Sequence, residues 1–188
     1  MLEYNNKLSE IIDHCISNAK KKGATDVEVG IVKSTAETVS FRNKKLDESD
    51  RSENIGLSLT AYINKKKNSV LSSNLKTDNL EKLIERCVEA AKITPEDEFN
   101  SLPDEELFFK NSDELDLFDE THLENNQKID FLKEAEEVAF KNKEIVNTNG
   151  SSFSESKTEV VLGNSKGFKN GYKTSNFTAY CEVVSKNN

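Results

Sequence analysis

The sequence predicts an α+β fold, with mixed or antiparallel sheets built from hairpins and packed with about three amphipathic helices. Three stretches place apolar residues at helical spacing. Residues 55–63 alternate apolar with polar or small residues without a break, which is typical of a strand with one buried face. The 188 residues are long enough to bury a core, as one domain or as two small ones.

Two of the predicted helices have the same arrangement of apolar residues. In residues 7–22 and again in residues 80–91, apolar side chains recur at i, i+3, i+4, i+7, i+8 and i+11, which places them on one helical face. Gly23 is a stop signal for the first helix. Asp78 and Glu81 form a predicted capping box at the start of the second. The two apolar faces consist of Leu8, Ile11, Ile12, Cys15, Ile16 and Ala19, and of Leu80, Leu83, Ile84, Cys87, Val88 and Ala91.

The third helix is predicted near residue 121. Thr121 and Glu124 have the spacing of a capping box, and the helix is expected to run to about Asn142. Its inward-facing residues are predicted to be Ile129, Leu132, Ala135, Ala139 and Phe140.

Strand patterns precede and follow these helices. Residues 27–32 and 39–41 predict a hairpin with a turn at residues 34–36, and the strongly charged residues 42–54 predict a mobile loop. Residues 55–63 predict one strand of a second hairpin, with a solvated lysine-rich tip. Later strands are predicted at residues 146–153, 158–162, 169–173 and 177–183.

A tight reversal is predicted between two of the later strands, at Gly163-Asn164-Ser165-Lys166-Gly167. Glycine and asparagine tolerate the positive φ that such a turn requires. An apolar run precedes the reversal and Phe168 follows it, so the segment is expected to close a hairpin.

The pattern predicts three regions along the chain. Residues 1–95 are an N-terminal α+β domain, residues 96–120 an acidic connecting segment, and residues 121–188 a helix followed by β-hairpins. The connecting segment holds eleven acidic residues against the single Lys110. It also contains apolar residues, so it is expected to wrap the domain body rather than to extend as a solvated linker. The sequence stops directly after a predicted strand, and we therefore expect it to be part of a longer protein.

The charge and the apolar patterning of the chain argue against two classes of partner, nucleic acids and membranes. The formal net charge is -8 and the sequence pI is about 5.0, the wrong sign for a protein that binds by neutralising nucleic-acid phosphates. No apolar run approaches the roughly 20 residues that span a bilayer, and the N-terminus lacks the pattern of a secretory signal. We expect a cytoplasmic protein with no direct nucleic-acid partner and no membrane partner.

No catalytic, metal-binding or cofactor-binding residue is predicted from the sequence motifs. His14 and His122 have no zinc-ligand spacing and are interpreted as helix-surface or capping residues. Cys15, Cys87 and Cys181 are far apart and are interpreted as reduced, buried thiols. The sequence contains no P-loop, nucleophile elbow or dinucleotide fingerprint. A single sequence does not show which carboxylates face each other across a cleft, so no acid–base pair is predicted.

Six short phrases, taken in order, resemble the N-terminal part of the PmbA/TldD family, and in particular its PmbA (TldE) branch. Each phrase has little specificity alone, whereas their order and spacing cover essentially the whole chain. They are GATDVEV at residues 23–29, ETVSFR at 37–42, GLSL at 56–59, DLF at 116–118, NGSSF at 149–153 and GNSKG at 163–167.

The resemblance implies a subunit of a cytoplasmic heterodimeric zinc protease that takes unfolded peptides into an internal cavity. In that family the zinc-binding His-Glu-x-x-x-His helix and a later cysteine ligand belong to the TldD-type subunit. Neither motif matches any position of this sequence. We therefore expect no cofactor in this chain and zinc on a TldD-like partner that carries His-Glu-x-x-x-His. The alternative assembly is a homo-oligomer.

Two further functions stay open at the level of sequence. The first is a stand-alone interaction module that performs no chemistry and uses its acidic segment to dock a basic partner. The second, a modulator of DNA gyrase that binds DNA, gains no support from the charge. Whether the chain belongs to an active enzyme is left undecided, because it carries no catalytic motif of its own.

Overall fold

The computed structural model describes residues 6–109 and 116–186. Within these residues the chain forms three α-helices and one five-stranded antiparallel sheet with the strand order β3-β2-β1-β4-β5, which confirms the predicted α+β class. The elements in chain order are α1 (Asn6–Lys21), β1 (Asp26–Arg42), β2 (Lys45–Ile63), β3 (Lys66–Ser72), α2 (Thr77–Ile93), a 3-10 turn (Glu105–Leu107), α3 (Asn125–Ala139), β4 (Ile145–Asn164) and β5 (Lys169–Ser185).

Two turns of the same kind connect the first three strands. Asn43 and Lys44 have φ angles of 49° and 62°, and Asn64 and Lys65 have φ angles of 48° and 67°. Two consecutive residues with positive φ are typical of the type I′ turn, whose twist matches that of the strands it joins. Asparagine adopts this conformation more readily than most residues, which explains its place at the start of both turns.

Four predicted interruptions of the sheet are wrong. The turn predicted at residues 34–36 lies inside β1, and the breaks predicted between residues 153 and 158 and between residues 173 and 177 lie inside β4 and β5. The loop predicted between Arg42 and Asn54 shrinks to a two-residue turn followed by β2. Nearly all of the side chains at residues 45–54 are exposed. The backbone of this stretch is paired in the sheet while its charges remain in water, so high polarity did not exclude a strand.

The described residues fall into two compact units. The first takes in residues 6–33, 54–109 and 159–173, and the second takes in the remaining described residues. In the first unit α1 and α2 contact each other, α2 packs on β3, and the helix faces predicted to be apolar lie in one core with residues of β1, β2 and β3. The core of this unit is Leu8, Ile12, Cys15, Ala19, Ala24, Val27, Val29, Ile31, Leu57, Leu59, Ala61, Val70, Leu80, Leu83, Ile84, Cys87, Val88, Ala91 and Val161.

The second unit has a smaller apolar core. It consists of Val39, Phe41, Leu132 and Phe153, with two partly buried residues of the α3 region against it. The rings of Phe131 and Phe153 meet edge to face with their centroids 6.0 Å apart. These contacts fix α3 against β1 and β4.

The third helix begins later than predicted. Its N-cap is Glu124. The Glu124 side chain accepts a hydrogen bond from the backbone N–H of Gln127, and the Gln127 side chain accepts one from the backbone N–H of Glu124, which forms a capping box. The capping box predicted to open at Thr121 is therefore wrong. The helix ends at Ala139, and Phe140, predicted to face inward, is 36% exposed.

The predicted reversal between β4 and β5 is confirmed. The Oδ1 atom of Asn164 accepts hydrogen bonds from the backbone N–H groups of Lys166 and Phe168, at 3.0 and 3.1 Å. Gly167 has a φ of 87°. Gly163 serves another purpose, because a Cβ atom at this position would lie 2.5 Å from Ile12 Cγ2.

Part of the acidic segment lies against the first unit. The backbone N–H of Asp97 donates to the carbonyl of Lys65 at 3.0 Å, Leu102 is buried, and the rings of Phe108 and Phe168 lie 5.4 Å apart. Residues 110–115 of the segment lie outside the described residues. None of the helices within residues 6–109 and 116–186 is long and apolar enough to cross a membrane.

Candidate functional site

The second unit contains a cluster of charged side chains centred on Lys128. This lysine lies on α3 and is fully buried, although lysine is among the residues least often found in a protein interior. The cluster also includes Glu37 on β1, Arg51 on β2 and Glu155 on β4. We call these four residues, together with His122, the Lys128 cluster.

Lys128 joins two carboxylates from different strands. Its Nζ atom donates a hydrogen bond to Glu37 Oε2 at 2.8 Å and lies 3.1 Å from Glu155 Oε2. The second contact is an ion pair whose angles fall outside hydrogen-bond geometry, so Glu155 Oε2 has no hydrogen-bond partner within the described residues. One buried ammonium group therefore lies between two carboxylates, in the arrangement that lowers the cost of burying all three charges.

Two further side chains complete the cluster at the surface. His122 Nδ1 lies 2.8 Å from Glu155 Oε1, and Arg51 Nη1 lies 2.8 Å from Glu37 Oε1. The second guanidinium nitrogen of Arg51 donates to Glu53 at 2.9 Å. The side chains of His122 and Arg51 are 45% and 61% exposed. The four members of the cluster other than Lys128, together with Thr35 and Lys157, line a surface cavity of about 270 Å³.

The contacts shift the pKa values of three groups towards their charged forms. The hydrogen bond from Lys128 holds the pKa of Glu37 below its usual value. Burial alone raises the pKa of Glu155, but its contacts with His122 and Lys128 outweigh burial and the pKa is lowered. Burial alone lowers the pKa of Lys128, but its contacts with the two glutamates outweigh burial and the pKa is raised. At neutral pH all three groups are charged.

Three members of the cluster are of the types that bind metal ions. One ligand atom each from Glu37, His122 and Glu155 lies within 4.8 Å of the others. Carboxylate and imidazole groups bind zinc and other divalent ions. The ammonium group of Lys128, however, already contacts both carboxylates. A divalent ion bound to them would lie beside a buried positive charge, which is strongly unfavourable. As arranged, these residues do not fit a zinc ion.

Sequence motifs did not reveal the cluster. His122 precedes the N-cap of α3 and its ring contacts Glu155, so the interpretation of this residue as a capping residue is wrong. His14 lies on α1 in the first unit, where the amide of Asn18 is 3.2 Å from its ring nitrogens. One signal in the sequence could have revealed the cluster. Lys128 and Glu136 lie on the same face of α3 as Leu132, and all three residues are buried.

A second hollow lies in the first unit and is largely apolar. Its volume is about 420 Å³, and none of the described residues that line it has a titratable side chain. Its lining consists of Gly30, Val32, Gly56, Leu57, Ser58, Leu71, Ser72 and Ser73.

Comparison with known sequences assigns successive parts of the chain to one group of proteins. Residues 27–91 match the family model described as PmbA/TldA metallopeptidase domain 1, and residues 118–188 match the PmbA/TldA metallopeptidase central domain. The fold and these matches define a metallopeptidase-related chain. It belongs to the PmbA/TldD family, as the six sequence phrases predicted.

The chain is similar to several proteins named for PmbA. It is 27% identical over 183 residues to the metalloprotease PmbA of Escherichia coli O157:H7, with 95% of this chain and 41% of that protein covered. It is 32% identical over 163 residues to a metalloprotease PmbA homolog of Buchnera aphidicola subsp. Acyrthosiphon pisum, with 85% and 36% covered. The chain thus spans about two fifths of the length of these relatives.

Solved structures share the fold at lower sequence identity. A Bacteroides thetaiotaomicron protein described as a modulator of DNA gyrase has a TM-score of 0.88 at 22% identity, covering 97% of this chain and 42% of that one. TldE from Thermococcus kodakarensis has a TM-score of 0.72 at 18% identity, covering 94% and 40%. These similarities establish the fold alone.

Proposed function

We propose that this chain is the N-terminal, non-catalytic portion of a PmbA/TldE-like subunit of a TldD/PmbA-type zinc protease complex. In this role it shapes the cavity that receives the peptide substrate and binds the partner subunit. One observation carries the proposal: two successive PmbA/TldA metallopeptidase domain models match residues 27–91 and 118–188, and relatives similar over most of this chain are named for PmbA. The Lys128 cluster supports the proposal. The single histidine of the cluster lies beside a carboxylate that already pairs with a buried ammonium group, so the cluster as arranged does not fit a zinc ion.

The proposal places the chemistry on another chain. Zinc is held by a TldD-like subunit that carries His-Glu-x-x-x-His, the substrates are unfolded peptides, and the complex works in the cytoplasm. The charge of -8 is consistent with the absence of a direct nucleic-acid partner. In this assembly residues 1–95 form the first domain, residues 96–120 the acidic connection, and residues 121–188 the start of the middle region.

Affinity capture tests this proposal. The protein is expressed with a tag from its complete reading frame in its source cells, and the chains that co-purify are identified and quantified by mass spectrometry. We expect a partner close to one-to-one that contains His-Glu-x-x-x-His. A bait shown by circular dichroism to be folded, and recovered without such a partner, would contradict the heterodimer and favour a homo-oligomer or the interaction module.

The alternative is a stand-alone acidic interaction module. Exposed aromatic and aliphatic side chains of the acidic segment favour it, since Phe99 is 82% exposed and Leu107 is 76% exposed beside several carboxylates. Such a module would bind a basic partner through exposed charges, and salt screens the attraction between exposed charges, so washing with increasing salt would release the partner. A protease subunit with an extensive interface would retain its partner under the same washes.

A further inference from the structure

The Lys128 cluster arranges metal ligands around an ammonium group. Glu37, His122 and Glu155 each direct one ligand atom to a common space within 4.8 Å. The Nζ atom of Lys128 lies 2.8 Å and 3.1 Å from the two carboxylates that border this space. Zinc bonds to nitrogen and carboxylate oxygen are about 2.0–2.2 Å long, so modest movements of the side chains would bring these atoms to bonding distance of a metal.

We propose that the ammonium group of Lys128 takes the place of a divalent cation between Glu37 and Glu155, and that removing its charge opens these residues and His122 to zinc. The chain as it exists is therefore a closed metal site that does not bind zinc at this position. This inference concerns metal binding by this chain alone and does not rest on the protease role.

Charge explains why the ammonium group closes the site. In the folded protein the two carboxylates share one buried cation, while Arg51 contacts Glu37 from the surface. Without Lys128, a negative charge would remain near Glu155, which is 6% exposed. A buried carboxylate without a partner either takes up a proton or recruits a cation. His122, already 2.8 Å from Glu155, supplies the third ligand.

The test compares Lys128→Met with a matched control. Methionine is unbranched and ends one atom short of the lysine nitrogen, so it fills the path of the side chain and vacates the position of the charge. Lys133→Met removes a lysine from the same helix, but Lys133 is half exposed and pairs with Asp130. Zinc binding is measured by equilibrium dialysis, and cobalt, whose absorption spectrum reports its ligands, is used as a second probe.

We expect one equivalent of zinc or cobalt to bind to Lys128→Met and neither ion to bind to the unmodified chain or to Lys133→Met at the same concentration. Adding His122→Ala to Lys128→Met should weaken the binding by about tenfold or more. Two results would overturn the inference: stoichiometric zinc on the unmodified chain that is lost in Glu155→Gln, or a folded Lys128→Met chain that binds no more metal than Lys133→Met.

A measurement on the unmodified chain covers the case in which Lys128→Met does not fold. The ammonium groups of the lysines are followed by nitrogen-15 NMR during a zinc titration. Because Lys128 is fully buried, its signal should be protected from exchange and should stay unchanged as zinc is added. A shift or loss of that signal at stoichiometric zinc would show that the metal displaces the ammonium group, and would overturn the inference.

Discussion

Lys128 Nζ on α3 lies 2.8 Å from Glu37 Oε2 on β1, although 91 positions separate the two residues in the chain. The contact ties the helix to the sheet in the second unit. With Glu155 at 3.1 Å it forms a buried ion cluster in a unit whose apolar core is small.

Removing the charge of Lys128 should destabilise the protein strongly. Lys128→Met leaves two carboxylates without their buried partner, which typically costs about 3–5 kcal/mol. Urea unfolding followed by circular dichroism measures the change. Lys133→Met, which loses an exposed pair on the same helix, should change the free energy of unfolding by no more than about 0.5 kcal/mol. Equal effects of the two substitutions would contradict the role given to Lys128.

The cluster should also make stability depend on acid pH. The carboxyl pKa values of Glu37 and Glu155 are lowered from 4.5 in the folded chain. Their contribution is therefore fully present above the unfolded value of 4.5 and is lost as the pH falls through the lower folded values. The pKa of Lys128 is raised from 10.5, so its contribution is lost only as the pH rises through its higher folded value.

Urea titrations from neutral pH down to about pH 3 test this dependence. The unmodified chain should lose stability below the unfolded value, and Glu155→Gln should show a smaller loss over the same range because it has one carboxyl fewer to protonate. Asp130→Asn, at an exposed position of α3, serves as the control. Identical slopes for the unmodified chain and Glu155→Gln would contradict the assignment.

The three thiols should differ in reactivity. Burial raises the pKa of Cys15 to about 11 and also raises the pKa of Cys87, so both are protonated and inaccessible in the folded chain. Cys181 is partly exposed, although its pKa is also raised. We expect a thiol reagent to label Cys181 first and the two buried thiols only after urea is added. Mass spectrometry of the labelled peptides would reveal a different order.

Substituting alanine for either glycine of the reversal should destabilise the protein, for a different physical reason at each position. Gly163→Ala forces a Cβ atom to within 2.5 Å of Ile12 Cγ2, and overpacking of this kind costs about 1–3 kcal/mol. Gly167→Ala meets no neighbour among the described residues but puts alanine at a φ of 87°, a strain of about 1–2 kcal/mol. Gly56→Ala is the control: no atom of the described part of the chain lies within 4 Å of the added Cβ, and the substitution should not lower the melting temperature. A tolerated Gly163→Ala would show that Ile12 can move aside.

The sequence predicted the features that depend on neighbours along the chain. The apolar faces of α1 and α2, such as Ile12 and Ile84, could be identified because helical spacing repeats locally and their stripes are purely apolar. The loop predicted at residues 45–54 is wrong because their place in β2 depends on pairing with another strand, as the contact between Arg51 and Glu37 illustrates.

The Lys128 cluster could not be predicted, because its members are distant in sequence. Glu155 lies 33 positions after His122, and Glu37 lies 91 positions before Lys128. No spacing rule connects two strands and a helix at such separations. Lysine inside a helix is normally assigned to the solvent, so a buried lysine stays hidden until the partners that neutralise it are known.

Peptide cleavage by the isolated and the reconstituted protein tests the central claim most directly. The product of the complete reading frame is purified alone and mixed with the proposed partner, a protein of the same genome that carries His-Glu-x-x-x-His, and an unfolded fluorogenic peptide is supplied to each preparation. We predict that the isolated protein is inactive and that the mixture cleaves in a chelator-sensitive manner. Chelator-sensitive cleavage by the isolated protein would contradict the assignment of the chemistry to the partner.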